Sequence, residues 1–348
     1  MIIRTPPRIG IIADDLTSAA DSAGPFVCRG LSALVGRVCL PTATADVFTI
    51  DTGSRSAGTG AAIALTDKFS TSLKSAEILY KTVDSTLRGH VRAEIGAAFK
   101  ASGRKKLVFA PAFPDAGRVT RNGIQLVDGV PVDQSAYARD PVHPATTSVL
   151  ADLVPSDARS VFFLDAETQD DLNTQIAAIP DPHGVLWVGS PGMAQALAKR
   201  ISKERPLVVP TTARKVLVVV GSANAVSHEQ CDLVEGIAGV TVLRAPIART
   251  QDSSGTLHNL VQDAARALET GDYGSVIATG GDTMEAILDS LGIHSFALSG
   301  EVEAGFPVGL SQYAGQPLIL GVKAGGFGTA DTLTNAVKHL TKLKERTA

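Results

Sequence analysis

Strand-like and helix-like segments alternate along almost the whole chain, which predicts an α/β protein with largely parallel sheets. Two further observations turn this into two α/β domains with an interdomain cleft. The alternation breaks at Lys203-Glu-Arg-Pro-Leu-Val-Val-Pro-Thr-Thr212, where prolines punctuate the pattern, and a second α/β series begins beyond it. At 348 residues the chain is also too long for one small core. The expected domains are residues 1–207 and 208–348. Clefts between domains are favoured places for small-molecule sites.

Taken in order, residues 9–13 form a short apolar run that reads as a buried strand, and 17–29 carry a helical pattern. Residues 46–51 read as the next strand and 57–74 as a helix. The β-type run 78–80 leads through a polar segment into a helical pattern at 91–100. After the apolar run 107–110 comes a Pro/Gly-rich stretch without periodicity, read as a loop. Residues 124–132 read as a hairpin, because Asp128-Gly129 is a turn dipeptide between alternating apolar residues. Runs at 161–164 and 185–188 are each followed by a helical pattern. The second series has strands at 215–220, 240–243, 276–279 and 318–322, with helices expected between them. No internal repeat or low-complexity tract is present.

Bulk properties narrow the class of function. A 44% hydrophobic content with only 19% charged residues describes a globular protein with a sizeable core. Net charge is −3 and no basic stripe is present, so nucleic acid is not expected as a partner. The start, Met1-Ile-Ile-Arg-Thr-Pro-Pro7, lacks the apolar region of a signal peptide. No apolar stretch approaches the roughly 18 residues that span a bilayer, so no membrane partner is expected. Cys28, Cys39 and Cys231 show neither disulfide nor zinc spacing. A reduced, cytoplasmic enzyme is the expectation, and neither monomer nor homodimer is favoured by the sequence.

The chemistry-bearing residues sit where strands end, the place where open α/β sheets bind small ligands. Asp14 and Asp15 close the first strand; a helix cap accounts for one aspartate, and the pair suits a magnesium ion or substrate hydroxyls. Arg55, in Asp51-Thr-Gly-Ser-Arg55, is suited to clamp a carboxylate through two parallel N–H bonds, although a surface arginine beside a glycine turn has the same sequence. The segment Lys81-Thr-Val-Asp-Ser-Thr-Leu-Arg-Gly89 is the most informative. Lys81 suits a carboxylate or phosphate, Asp84 and Ser85 suit hydroxyls, and Thr82 and Val83 lie between them. Simple capping by Asp84 or Ser85 is the competing explanation. Together these groups describe a pocket for a small, anionic, polyhydroxylated molecule. Arg118 and Thr120, in the aperiodic loop, are further candidates to reach that ligand.

In the second series three strand ends are glycine-rich: Gly221-Ser222, Gly280-Gly281-Asp282-Thr283, and Gly325-Gly326-Phe-Gly328 after Lys323. Any one is an ordinary tight turn. Three in one domain point to a nucleotide phosphate site, where backbone N–H groups and helix N-termini face the anion. The chain has no G-x-x-x-x-G-K-[ST] motif and no G-x-G-x-x-G in its first βα unit, which argues against a P-loop enzyme and a nicotinamide-dependent dehydrogenase. His228-Glu229 lacks a second histidine at zinc-protease spacing, and the seven histidines read as surface or capping residues. The pattern does not specify metal ligands.

Taken together, Ala13-Asp-Asp-Leu-Thr17, the Lys81 to Gly89 segment, the Ala112 to Thr120 loop, Gly221-Ser222, Thr279-Gly-Gly-Asp-Thr283 and Lys323-Ala-Gly-Gly-Phe-Gly328 resemble the four-carbon acid sugar kinase family. The resemblance runs from Ile9 to the C-terminal helix. It implies an N-terminal domain that binds the acid sugar and a C-terminal domain that binds ATP, with phosphoryl transfer to a terminal hydroxyl. Carried over, Asp15, Arg55 and Lys81 to Asp84 contact substrate; Ser222, Gly280 to Thr283 and Gly325 contact ATP. The segments Gly129 to Val132 and Ala138 to Pro141 are more similar to the D-threonate kinase branch than to 3-oxo-tetronate kinases. Ser18 and Ala324 depart from the family pattern, standing where glycine and serine are usual.

The expected chemistry is ATP- and Mg2+-dependent phosphorylation of D-threonate to its 4-phosphate, with D-erythronate or a 3-oxo-tetronate as alternatives. In this scheme Arg55 and Lys81 neutralise the substrate carboxylate while Asp15 and Asp84 orient its hydroxyls. A carboxylate near the attacking hydroxyl takes its proton, Asp15 first and Asp84 second. A non-catalytic sugar-acid binding protein would keep the Lys81 pocket but has no use for three phosphate turns.

Overall fold

The computed structural model describes residues 6–140, 143–156, 158, 160–203, 209–222, 224–246, 253–303 and 305–341. The chain divides into two compact units, Met1–Pro206 and Leu207–Ala348. In the first, strands β1 (Ile9–Ala13), β2 (Ala33–Arg37), β3 (Val47–Asp51), β4 (Ile78–Thr82) and β5 (Lys106–Ala110) alternate with helices α1 (Leu16–Val27), α2 (Thr59–Leu73) and α3 (Val91–Ser102). A small antiparallel sheet of β6 (Arg118–Arg121), β7 (Ile124–Val127) and β8 (Val130–Pro131) follows. Then come β9 (Val161–Phe163), α4 (Gln169–Ala178), β10 (Val185–Gly189) and α5 (Pro191–Ile201).

The main sheet of this unit is wholly parallel, in the order β2-β3-β1-β4-β10-β5-β9. Every residue of β1, β3, β4 and β10 is buried, as expected for strands covered on both faces. Alternation along β3 shows how the layers divide. Phe48 and Ile50 join a cluster with Phe69 and Leu73 of α2 and Ile95 and Ala98 of α3. Thr49, between them, donates its hydroxyl to the Ala19 carbonyl of α1 on the opposite face. After β1 the chain builds outward to β2 and β3 on one side, then crosses to β4 on the other. The crevice of this sheet therefore lies at the carboxyl ends of β1, β3 and β4.

The second unit contains β11 (Lys215–Val220), α6 (Ala225–Val234), β12 (Val240–Arg244), α7 (Ser253–Glu269), β13 (Tyr273–Thr279), α8 (Gly281–Ser290), β14 (Ser295–Glu301), β15 (Pro307–Tyr313), β16 (Gln316–Lys323) and α9 (Thr332–Thr341). Strands β12-β11-β13-β16 are parallel, and β16-β15-β14 continue as antiparallel neighbours. The core includes Val216, Val218, Val220, Ile277, Ile319, Leu333 and Val337.

Three regions differ from the sequence expectation. The region between β13 and β16 holds two antiparallel strands after α8, because Ser295–Glu301 alternates buried and half-buried residues at period 2. Strand β2 was not anticipated; its Gly36 interrupts an apolar run of only five residues. The aperiodic loop forms β6, which a 3-10 turn at Pro114–Ala116 and a left-handed Gly117 (φ 72°) fold back against Phe113. The expected hairpin is present, with Asp128 and Gly129 at φ 49° and 81°. No described helix is long and apolar enough to cross a membrane.

Candidate active site

In the first unit the crevice is built around Arg55. Its Nε and Nη2 donate to Asp14 Oδ2 and Oδ1 at 2.8 and 2.9 Å, a two-pronged pair. Its Nη1 pairs with Asp15 Oδ2, and Nη2 also reaches Ser18 Oγ at 3.2 Å. Ser18, where the family pattern has glycine, thus supplies an extra acceptor for the guanidinium. Asp15 also caps α1, accepting from the Ser18 backbone N–H at 2.6 Å. The cap and the ion pair use different oxygens of one carboxylate, so Asp15 serves both.

At the end of β4, Asp84 accepts from Arg88 Nε at 2.7 Å and from the Thr86 hydroxyl. Arg88 Nη1 reaches Asp140 Oδ2 at 3.2 Å, and its guanidinium lies 5.2 Å from the Tyr137 ring centre. Gly89 closes the segment with φ 92°, and a Cβ there would approach Asp14 Oδ2 to 3.2 Å. A side chain at 89 would be strained by the backbone and would crowd the Asp14–Arg55 pair.

Lys81 has no exposed surface: its ammonium pairs with Glu94 Oε2 at 2.9 Å and donates to the Thr82 carbonyl at 2.6 Å. Glu94 Oε1 in turn accepts from Ser54 at 2.5 Å, and Ser54 shares a hydrogen bond with Thr52. Lys81 was expected to meet the substrate carboxylate; here Glu94 occupies that ammonium, which ties the ends of β3 and β4 to the first turn of α3. Thr82 is buried with its hydroxyl unpartnered among the described residues, Val83 packs in the core, and Ser85 offers its carbonyl to Gln125 at 2.8 Å. Thr120 is buried on Gln125, and Arg118 reaches Tyr137 Oη at 3.0 Å.

Burial pushes all three aspartates up, but neighbours decide the outcome. Arg55 and Lys81 outweigh burial at Asp14 and hold it below the usual carboxylate range. Arg88 and Arg55 hold Asp84 well below it. At Asp15 burial wins, helped by the Asp14 charge, and its pKa is raised despite Arg55. Asp14 and Asp84 are thus held as anions more firmly than an ordinary aspartate, and Asp15 less firmly.

In the second unit the three glycine-rich turns leave adjacent strands at one level. Val220 of β11 is in register with Thr279 of β13, and Thr279 with Lys323 of β16. Ser222, Gly280–Thr283 and Gly325–Gly326 follow directly. They pack so closely that a Cβ on Gly325 would overlap Ser222 Oγ. The carbonyls of these turns are gathered from behind. Ser227 bonds Gly325 O at 2.5 Å, His228 bonds Ser222 O at 3.0 Å, and Gln230 bonds Phe327 O and Thr329 O at 3.0 and 2.7 Å. The buried Lys323 ammonium donates to Ala324 O and Gly325 O at 3.0 and 3.2 Å. These bonds fix the carbonyls of the turns, while the Gly280 and Phe327 N–H groups donate to Lys323 O and Ala324 O at 2.7 and 3.1 Å. Helix α8 begins at Gly280 with no side-chain cap, so its first-turn N–H groups have no intrahelical partner. This arrangement fits an oligophosphate. Among the described residues no group of three or more His, Cys, Asp or Glu could hold a metal ion.

Sequence reading missed Glu94, Asp140, Tyr137 and His143. Glu94 looked like an ordinary acidic residue in a helix first turn. His143 was taken as a surface histidine, yet it lies among His90, Arg55, Asp140 and Asp14. Only His90, directly after Gly89, had a positional signal.

A family model described as a sugar-binding N-terminal domain matches residues 9–161, and one described as a nucleotide-binding C-terminal domain matches 243–333. A D-threonate kinase from Bordetella bronchiseptica is 32% identical over 96% of this chain and 98% of its own. A 3-oxo-tetronate kinase from Pseudomonas fluorescens is 25% identical over 98% and 99%. A crystal structure of a putative tRNA synthase from Salmonella typhimurium, 21% identical, superimposes with a TM-score of 0.81 over 95% and 99% of the two chains, a likeness of fold. A Bordetella bronchiseptica structure with bound citrate, a domain-swapped dimer, is 29% identical with a TM-score of 0.51 over 96% and 98%. With relatives matched from end to end and both domain models in place, this chain belongs to the four-carbon acid sugar kinase family.

Proposed function

We propose that the protein transfers the γ-phosphoryl group of ATP to the terminal hydroxyl of D-threonate, giving the 4-phosphate. The observation that carries the kinase reading is the alignment of Ser222, Gly280–Thr283 and Gly325–Gly326 at the in-register ends of three parallel strands. A protein that only stores or senses an acid has no need of such a set. The relative at 32% identity favours D-threonate over D-erythronate and the 3-oxo acids.

Phosphoryl transfer asks mainly for positioning and charge stabilisation. Asp14 holds Arg55 by two hydrogen bonds, so the Nη1 edge toward Asp15 is the exchangeable one. An acid sugar whose carboxylate takes that edge frees Asp15 to accept the proton of the attacking hydroxyl. Asp84, fixed by Arg88 and Thr86, is a poorer base and orients hydroxyl groups. The N–H groups of the glycine turns stabilise the phosphates, and ADP leaves. Mg2+ is proposed to arrive on the nucleotide, which fits a protein whose described residues offer no dedicated cage.

The test is ADP formation with Mg-ATP and a panel of D-threonate, D-erythronate and 3-oxo-tetronates. Stimulation strongest with D-threonate is expected; none with any acid would sink the kinase reading. Thermal stabilisation by acid but not by Mg-ATP would favour the non-catalytic binder. A homodimer is proposed on the precedent of the Bordetella bronchiseptica structure, and sedimentation checks it. Cysteine spacing that suggests no disulfide framework supports a reducing, cytoplasmic setting.

A further inference from the structure

The front crevice has an electrostatic problem. Two guanidinium groups, Arg55 and Arg88, face four carboxylates, Asp14, Asp15, Asp84 and Asp140. Lys81 is cancelled by Glu94. An incoming carboxylate therefore meets an excess of its own sign, and exchange at Arg55 alone leaves the balance unchanged.

His143 stands beside this cluster. Its backbone N–H donates to Asp140 Oδ1 at 2.9 Å, and the other oxygen of that carboxylate takes Arg88. Its ring meets His90 edge-on, with centroids 5.2 Å apart and planes at 75°. His90 is committed, with Nε2 at 2.7 Å from Ala57 O and Nδ1 at 3.3 Å from Thr59 Oγ1. His143 Nε2 is buried with no hydrogen-bond partner among the described residues. A buried polar nitrogen left open at the edge of a ligand crevice is a costly feature unless a ligand satisfies it.

We infer that His143 is a substrate-recognition residue, whose Nε2 donates to the carboxylate of the acid sugar and whose ring takes up a proton as the acid binds. This rests on the acid-sugar reading above and adds the group that offsets the substrate's charge. Burial, His90 and Arg55 lower the pKa of His143 in the free protein, against the opposing pull of Asp140 and Asp14. The ring is therefore neutral near pH 7, and a bound anion favours its charged form. Acid binding strengthens as pH falls and weakens as pH rises. Protonation of Asp15 would act in the same direction, so variants must separate the two.

The experiment measures KM for D-threonate and for Mg-ATP from pH 6 to 9 in wild type, His143→Ala and His143→Gln. Calorimetric acid binding in two buffers of different ionisation enthalpy counts protons. Wild type should show KM for the acid rising with pH and proton uptake on binding. His143→Ala should raise that KM about tenfold at the acidic end, the worth of one charge-assisted hydrogen bond, while KM for Mg-ATP holds. His143→Gln should recover part of the loss with a flat pH profile, which a purely structural role would not produce. Unchanged profile and proton uptake in both variants would assign the effect to another group, Asp15 first, and overturn the inference. If no acid stimulates ADP formation yet D-threonate binds with proton uptake that His143→Gln abolishes, the kinase reading fails and this one stands. Absence of any acid binding overturns it.

Discussion

At the residue scale the front crevice turns on three aspartates with different fates. Asp14 and Asp84 have lowered pKa values, so each contributes stability present above the ordinary aspartate range and lost as pH falls through the folded-state value. Asp15 is raised, so its ionisation costs stability at neutral pH, and that cost is relieved as pH falls. A carboxylate kept at a stability cost, with one oxygen toward the crevice, is the better proton acceptor. Arg55→Ala is a poor probe here, because it strands the buried Asp14 and the half-buried Asp15 and is expected to cost about 3–5 kcal/mol. Asp15→Asn is cleaner, since asparagine caps a helix as well as aspartate does. It should change unfolding free energy by no more than about 1 kcal/mol while lowering kcat by about 10²–10⁴-fold. Chemical denaturation and steady-state rates check both halves; an unaltered kcat moves the base elsewhere. That the aspartates, Arg55 and Lys81 lie at strand ends was legible from the apolar runs before them; that Lys81 is paired with Glu94 was not. Glu94, Asp140 and His143 were not, because only the folded chain brings them to those ends.

At the element scale the back site depends on how β16 ends. Lys323 is fully buried, has no carboxylate within ion-pair distance among the described residues, and is pushed down to about 8 by burial, against a weaker pull from Glu303. Between that value and the ordinary lysine range the unfolded chain keeps a proton the folded one releases. Stability therefore rises with pH across this window, and the charged lysine is a liability at pH 7. The ammonium holds the Ala324 and Gly325 carbonyls and places a positive charge beside the turn. A bound triphosphate favours the charged lysine, so nucleotide binding near pH 8.5 should take up a proton. Lys323→Met should abolish that uptake and weaken nucleotide binding at least tenfold, with the ligand-free protein no less stable. Calorimetry in two buffers decides it, and proton uptake persisting in the variant would falsify the role. The sequence showed three glycine turns; it did not show that one register, Val220 to Thr279 to Lys323, aligns them. Register is set by side-chain packing on both sheet faces, which periodicity alone does not report.

At the scale of the whole molecule, each unit carries its own core and its own strand-end site. The two α/β series were legible because buried parallel strands are short apolar runs separated by helical periods. The antiparallel pair β14 and β15 was hidden, since β14 alternates buried and half-buried residues, unlike the apolar runs around it. The separation of sites makes a prediction that neither site makes alone. A ligand at 1,000 times its Kd adds about 4 kcal/mol to any opening that destroys its site. D-threonate alone should slow amide exchange at residues 14–18, 52–55 and 82–90, and Mg-ADP alone at residues 221–222, 280–284 and 324–328. Each ligand should leave the other set close to its ligand-free rate, because the hydrogen bonds that hold each site close within its own unit. Hydrogen-exchange mass spectrometry resolves these segments. Equal protection of both sets by one ligand would mean that the sites open as one cooperative unit, and the assignment of acid and nucleotide to separate strand ends would have to be abandoned.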